Sequence, residues 1–99
     1  MSGAIRQVMI RGRVQGVGYR AWTEVAALDR GLQGWVRNRH DGSVEALFAG
    51  PQEAVTGMIE ACKQGPGGSH VDAIDQREGT AAEFALCRGG DLFSVLPSA

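Results

Sequence analysis

The chain has 99 residues, of which 43% are hydrophobic, and this length fits one domain, residues 1–99, with a single core. Its net charge of -1 argues against extensive nucleic-acid binding, which normally requires a strongly basic surface. Neither a signal-peptide core nor a stretch approaching the ~20 apolar residues that span a bilayer is present, so we expect a cytoplasmic protein that binds neither nucleic acid nor membranes.

The first predicted element is a strand over residues 5–11, in which β-branched residues alternate with polar ones. A glycine-rich segment, residues 12–18, follows it. From Arg20 to about Arg30 the apolar residues recur with helical spacing, and Gly31 is suited to end that helix. We predict that its buried stripe consists of Ala21, Val25, Leu28 and Leu32, flanked by Trp22.

The middle of the chain predicts a β-hairpin and a second helix. Residues 33–39 and 43–49 alternate as strands do, and Asp41-Gly42 between them is typical of a hairpin turn. The two strands are therefore expected to be antiparallel neighbours. Pro51 is suited to the first position of the next helix. Its predicted buried face consists of Val55, Met58, Ile59 and Cys62.

The glycine-rich loop at residues 64–70 ends the second helix, and residues 71–78 predict a fourth strand. The step of three residues from Val71 to Ile74 breaks strict alternation and suggests a β-bulge. Beyond Gly79 the pattern weakens, and we expect a short last strand at residues 84–87 and a loose tail at residues 88–99. The order βαββαβ predicts an α+β, ferredoxin-like sandwich: an antiparallel sheet with two helices on one face.

The segment Gly12-Arg-Val-Gln-Gly-Val-Gly-Tyr-Arg20 has the composition of an anion-binding loop. Three glycines permit main-chain N–H groups to converge, and a helix N-terminus follows with further unpaired N–H groups. Arg20 adds a planar fork of donors that matches phosphate oxygens. A tight strand-to-helix connection with an exposed arginine is the alternative interpretation.

Two better-known phosphate motifs do not fit this loop. Residues 16–21 match G-x-G-x-x-A, but the dinucleotide site needs a parallel βαβ sheet, whereas Asp41 here opens a hairpin. The P-loop is excluded because no Gly-Lys-Ser/Thr follows the glycines. The remaining interpretation is a site for a single phosphate, in the half of the chain that holds seven of its ten basic residues.

Asn38 is the second candidate functional residue. An asparagine near a hairpin usually caps the turn, and this interpretation stays open. Asp41 and Gly42 already supply the turn chemistry, however, so Asn38 is free to face a ligand.

The remaining reactive residues offer no site. His40 and His70 lack the spacing of metal ligands, and neither is paired with a nucleophile, so we expect no metal and no cofactor. Cys62 and Cys87 are interpreted as buried free thiols, with one disulfide as the alternative.

Two segments closely resemble the signature segments of the acylphosphatases, small enzymes that hydrolyse carboxyl-phosphate mixed anhydrides. They are Gly12-Arg-Val-Gln-Gly-Val-Gly-Tyr-Arg20 and Gly34-Trp-Val-Arg-Asn-Arg-His-Asp-Gly-Ser-Val-Glu45. The resemblance covers about residues 5–87 and implies the same ferredoxin-like fold. It also implies a small acyl phosphate as substrate, inorganic phosphate as product, and hydrolysis without a metal; we further expect a monomer.

Residue by residue, the resemblance implies that Arg20 binds the phosphate and that Asn38 holds the attacking water. The main-chain amides that would surround the phosphate belong to Gln15, Gly16, Val17, Gly18, Tyr19 and Arg20. Such a site is coherent, because phosphoryl transfer relies chiefly on positioning and charge stabilisation.

The sequence departs from the family pattern in three places. Tyr19 stands where phenylalanine is common, which is a mild change if its hydroxyl reaches solvent. The loop at residues 67–69 is glycine-rich, and about a dozen residues follow Cys87. The second hypothesis is a non-catalytic phosphate- or ligand-binding module of the same fold; its RNA-binding version lacks the required aromatic pattern.

Overall fold

The computed structural model describes residues 3–87 and 92–99, in which five strands and three helices are present. They are β1 (Gly3–Arg13), α1 (Tyr19–Asp29), β2 (Gln33–Asn38), β3 (Val44–Pro51), α2 (Gln52–Cys62), β4 (His70–Glu78), α3 (Ala81–Phe84) and β5 (Phe93–Val95). Within the described ranges, no helix is long and apolar enough to span a membrane.

The strands form one sheet in the order β4-β1-β3-β2-β5. The first four strands pair antiparallel, as predicted, and build the ferredoxin-like arrangement. The prediction of a purely antiparallel sheet was wrong, because β5 lies parallel to β2, with Gly34 opposite Phe93 and Val36 opposite Val95. The sheet is therefore mixed.

Both long helices cover one face of the sheet, as predicted. Residues of α1 and α2 share a hydrophobic cluster with the helix-facing side chains of β1, β2 and β3, among them Val8, Val36 and Phe48. A smaller cluster on the opposite face contains Trp35, with Phe84 of α3 packed against it.

The predicted buried stripe of α1 was wrong within the helix, although Leu32 beyond its end is buried, as predicted. Val25 is 67% exposed and Leu28 is 43% exposed, whereas the buried residues of the helix are Tyr19, Thr23 and Ala27. The Thr23 hydroxyl donates to the main-chain oxygen of Tyr19 at 2.8 Å, so burial leaves no unpaired donor.

The buried face of α2 was predicted correctly, since Val55, Met58, Ile59 and Cys62 are all buried. Pro51 is the residue that precedes the helix and not its first helical residue. Its φ of -56° suits the last position of an extended segment as well as the first turn of a helix.

The bulge expected in the fourth strand is present. Ile74 pairs with Ile10 and Val71 pairs with Gly12, so that Asp72 is the additional residue of β4. Gly12 permits this close approach, because a Cβ atom there would lie 2.2 Å from the main-chain oxygen of His70. The glycine at the end of β1 is therefore required by the sheet as well as by the loop that follows.

The C-terminal prediction was wrong in two respects. Residues 84–87 are the end of α3 and a turn, because Thr80 and Glu83 form a capping box that starts a helix. The last strand is instead β5, and Leu96 beyond it is buried. Of the expected loose tail, residues 88–91 lie outside the described residues, and residues 92–99 pack against β2.

Candidate active site

The loop between β1 and α1 presents unpaired main-chain donors. Gly16 and Gly18 have φ values of 73° and 80°, a left-handed conformation that glycine adopts without strain. Within the described part of the chain, the N–H groups of Gly16, Val17 and Gly18 donate to no main-chain oxygen. Gly18 precedes the first residue of α1, so the loop N–H groups and the helix N-terminus lie next to one another.

Arg20 lies in the first turn of α1 and is half-buried. Its guanidinium group forms neither a hydrogen bond nor an ion pair with another described residue. A cation in the first turn opposes the helix dipole, so this arginine is not placed there for helix stability. A free guanidinium beside unpaired N–H groups is suited to bind an anion.

Asn38 is the last residue of β2 and lies on the helix-facing side of the sheet, in alternation with Gly34 and Val36. It pairs with Val44 of β3 on one side. On the other side, its main-chain oxygen accepts a hydrogen bond from Ala99 at 3.0 Å. Its side-chain amide has no partner among the residues that the structure describes, and it is thus available to a ligand or water.

Arg20 and Asn38 line the same cleft, which has a volume of about 340 Å³. The other lining residues are Val14, Gln15, Gly16, Gly18, Tyr19, Ala21, Glu24 and Val95. Of the residues predicted from the sequence, only Val17 does not line the cleft; it is packed against the core. Four lining residues were not predicted: Val14, Ala21, Glu24 and Val95.

Two clefts of about 400 and 530 Å³ lie at the other end of β1, near Gly3 and Glu78. They are larger but combine neither the glycine loop nor Arg20. The chemistry for binding an anion is therefore found in the smaller cleft.

Other arginines of the basic N-terminal half are engaged elsewhere. Arg37 donates to Glu45 at 2.8 Å, and Arg39 lies 3.4 Å from the same carboxylate. Arg11 donates to Asp75 at 3.1 Å. The charges of these arginines are thus balanced by carboxylates outside the cleft. Within the described ranges, Arg20 is the only cation that lines the cleft.

The side chain of Gln15 connects the glycine loop to the β2–β3 hairpin. Its amide nitrogen donates to the main-chain oxygen of Arg39 at 2.7 Å and to that of Ser43 at 2.8 Å. Sequence reasoning considered only the main-chain amide of Gln15. The side-chain contact holds the loop against the hairpin that carries Asn38.

The Tyr19 hydroxyl does not reach solvent, so the condition under which its replacement of phenylalanine would be a mild change is not met. Tyr19 is 1% exposed, and its hydroxyl donates to the main-chain oxygen of Cys62 at 2.5 Å. Burial raises the pKa of the Tyr19 hydroxyl above its ordinary value. Burial also raises the pKa of the Cys62 thiol to about 12, which makes this cysteine a packing residue and not a nucleophile.

The other candidate residues do not build a site. His70 is exposed and lies 3.1 Å from Asp72, away from the cleft. Neither Cys62, which is buried, nor Cys87, which is partly buried, is in a disulfide within the described residues, and the Cys87 thiol donates to the main-chain oxygen of Gly34 at 3.0 Å. Within residues 3–87 and 92–99, no group of histidine, cysteine and acidic side chains could hold a metal ion.

Known proteins are similar to this chain over nearly its whole length. A family model described as acylphosphatase matches residues 6–85. The acylphosphatases of Bradyrhizobium diazoefficiens and Nitrobacter hamburgensis are 59% and 52% identical over 98 residues, 99% of each chain. The crystal structure of the acylphosphatase from Bacillus subtilis matches with a TM-score of 0.80 at 38% identity, over 93% of this chain and 97% of that chain. The range that the family model matches includes the glycine loop, Arg20 and Asn38.

Proposed function

Because the chain belongs to the acylphosphatase family and is an acylphosphatase hydrolase, we propose that Arg20 and the loop of residues 15–20 bind the phosphate and that Asn38 orients the attacking water. The observation that carries this proposal is that Arg20 and Asn38, from a helix and a separate strand, line one cleft. Neither side chain has a competing partner among the described residues. The full-length relatives favour the enzyme over the non-catalytic binding module.

The first step is binding of the phosphoryl group. The N–H groups of Gly16, Val17 and Gly18 and the N-terminus of α1 surround its negative oxygens, and Arg20 donates to two of them. The charge on these oxygens persists in the loose transition state of phosphoryl transfer. The same donors therefore bind the substrate and stabilise the transition state.

Hydrolysis then requires a water molecule in line with the leaving group. The side-chain oxygen of Asn38 accepts a hydrogen bond from this water and its amide nitrogen donates to a phosphoryl oxygen, which limits the orientations of the water. The water oxygen forms a bond to phosphorus as the bond to the acyl oxygen breaks. The carboxylate leaves with the electron pair, and the proton of water passes to the phosphate.

The remaining parts of the proposal concern the metal requirement, the oligomeric state and the cellular location. A carboxylate is a good leaving group, so the site needs no metal to activate it, and we propose that hydrolysis is metal-independent. We also propose that the protein acts as a monomer in the cytoplasm on small acyl phosphates. Cysteines outside any disulfide, such as Cys62 and Cys87, are typical of a reducing compartment.

The test is hydrolysis of benzoyl phosphate in the presence and absence of EDTA. Arg20→Gln should abolish both turnover and competitive inhibition by inorganic phosphate. Asn38→Ala should lower kcat by roughly 10² to 10³-fold, the effect of losing one transition-state donor, and leave inhibition by phosphate nearly unchanged. Arg30→Gln, at the residue that follows the last residue of α1 and outside the cleft, is the matched control for charge.

Near wild-type turnover by Asn38→Ala would defeat the water-orienting role. A large loss of activity in EDTA would overturn metal independence. Loss of activity in Arg30→Gln equal to that in Arg20→Gln would mean that net charge, and not the cleft, governs phosphate binding.

A further inference from the structure

The cleft that is suited to a phosphate also contains an acidic side chain, Glu24. This residue follows Arg20 by four positions on α1, is half-buried, and forms no hydrogen bond or ion pair with another described residue. The i, i+4 spacing would permit a pair with Arg20, yet no such pair is present. A carboxylate without a partner opposes the binding of any further negative charge in the same cleft.

The position of Glu24 places its charge beside the non-phosphate part of a substrate. One helical turn, about 6 Å of rise, separates it from Arg20 and the phosphate-binding loop. Once the loop of residues 15–20, Arg20 and Asn38 are assigned to phosphate and water, the remaining lining residues are Val14, Ala21, Glu24 and Val95. The acyl group therefore meets three apolar side chains and one carboxylate.

We propose that Glu24 is a specificity-determining residue that selects acyl phosphates whose acyl group is neutral or cationic and disfavours those whose acyl group carries a negative charge. The inference rests on the proposed phosphate site. The sign of the effect does not depend on a direct contact, because a cleft of about 340 Å³ keeps every bound atom within roughly one Debye length, ~8 Å, of its walls.

Three acyl phosphates that differ only at the para position of one ring test this role. Benzoyl phosphate has a neutral acyl group, 4-carboxybenzoyl phosphate an anionic one, and 4-(aminomethyl)benzoyl phosphate a cationic one. The intrinsic reactivity of each compound cancels when kcat/KM of Glu24→Gln is divided by that of the wild type. Asp29→Asn removes the same charge from the same helix outside the cleft and is the matched control.

In Glu24→Gln, all three substrates share the effect of the lost charge on the phosphoryl group, and the change on benzoyl phosphate measures that shared effect. Relative to benzoyl phosphate, we expect kcat/KM to rise about 3- to 10-fold on the anionic substrate and to fall by a similar factor on the cationic one, as expected for one partly screened charge pair. Asp29→Asn should leave all three values unchanged. Added salt should reduce the discrimination of the wild type.

Equal ratios on all three substrates would overturn the inference, as would the same discrimination in Asp29→Asn. A large loss of kcat on benzoyl phosphate in Glu24→Gln would also overturn it, because Glu24 would then act on the reacting atoms. These outcomes differ from failure of the proposed site, in which the Arg20→Gln variant retains turnover on every substrate.

Discussion

The side-chain amide of Gln15 donates a hydrogen bond to the main-chain oxygen of Ser43 at 2.8 Å, which joins the glycine loop to the hairpin after Asn38. The same nitrogen also donates to the main-chain oxygen of Arg39 at 2.7 Å. These two hydrogen bonds fix the proposed phosphate-binding loop in position relative to the strand that carries Asn38. This contact makes Gln15 a positioning residue, separate from the part that its main chain plays in the loop.

We expect Gln15→Met, which preserves side-chain length but removes both donors, to lower kcat about 10-fold. The loss corresponds to roughly 1.4 kcal/mol, close to the net contribution of one or two hydrogen bonds. Inhibition by inorganic phosphate should change much less, because the main-chain donors and Arg20 remain. Steady-state kinetics with benzoyl phosphate separate the two effects, and Gln64→Met is the exposed control. Unchanged kcat would show that the hairpin is held without Gln15.

The hydroxyl of Tyr19 connects the start of α1 to the end of α2 through the main-chain oxygen of Cys62. Tyr19→Phe would leave this oxygen without its buried donor, so we expect the free energy of unfolding to fall by about 1 to 2 kcal/mol. Because the hydroxyl points into the core, kcat on benzoyl phosphate should stay within about 2-fold. Urea denaturation measures the first effect. Equal stability of the two proteins would mean that the oxygen finds another partner.

The ion pair between Arg77 and Glu83 predicts a dependence of stability on pH. Hydrogen bonds from Arg77 lower the pKa of Glu83 to about 2, against ~4.3 for an unperturbed glutamate. Since the folded-state pKa is lowered, the stabilisation is present above pH ~4.3 and is lost as the pH falls toward 2. The Arg77 side chain is 53% exposed, so solvent screening keeps this stabilisation small at neutral pH.

The measurement is the difference in urea midpoint between the wild type and Glu83→Gln from pH 7 to pH 2. The difference should shrink below about pH 4.5 and approach zero near pH 2. Glu78→Gln, which removes a charge from the neighbouring end of β4, should show no such dependence. A difference that is independent of pH would indicate that Glu83 acts only through the capping box with Thr80.

The segment after β5 supports the strand end that carries Asn38. Ala99 donates to the main-chain oxygen of Asn38 at 3.0 Å, and its own oxygen accepts from His40 at 2.9 Å. Deletion of residues 97–99 removes both bonds, and we expect kcat to fall about 3- to 10-fold, with a smaller change in KM. The double variant Pro97→Ala/Ser98→Ala keeps the main chain and should retain activity. Full activity of the deletion variant would show that residues 97–99 are not needed to hold the strand end that carries Asn38.

Most of the fold could be predicted because local pattern determines local structure. Alternation and the Asp41-Gly42 turn identified the hairpin, and the irregular step from Val71 to Ile74 identified the bulge. The capping box formed by Thr80 and Glu83 is a sequence pattern that predicts the start of α3, but apolar spacing alone does not reveal it. The parallel pairing of β5 with β2 has no comparable signal, because it joins segments that are distant along the chain.

The buried face of α1 shows why apolar spacing alone was insufficient. The helix has two stripes that could be buried, and the more hydrophobic one, with Val25, is exposed. The rotation of the helix follows from the left-handed conformation of Gly18 and the burial of Tyr19 directly after it. The polar Thr23 is buried because the main chain of the same helix satisfies its hydroxyl.

The sequence by itself determined the chemical groups of the candidate site, because the glycine loop, Arg20 and Asn38 belong to two continuous segments whose composition can be read directly. Tertiary structure alone decided which other side chains share their cleft. Val95 comes from a strand that no local pattern relates to the loop, and Gln15 reaches the hairpin only after the sheet has formed. Local residues thus specify the groups proposed to bind the phosphate, whereas packing between distant segments brings Asn38 and Val95 to the same cleft.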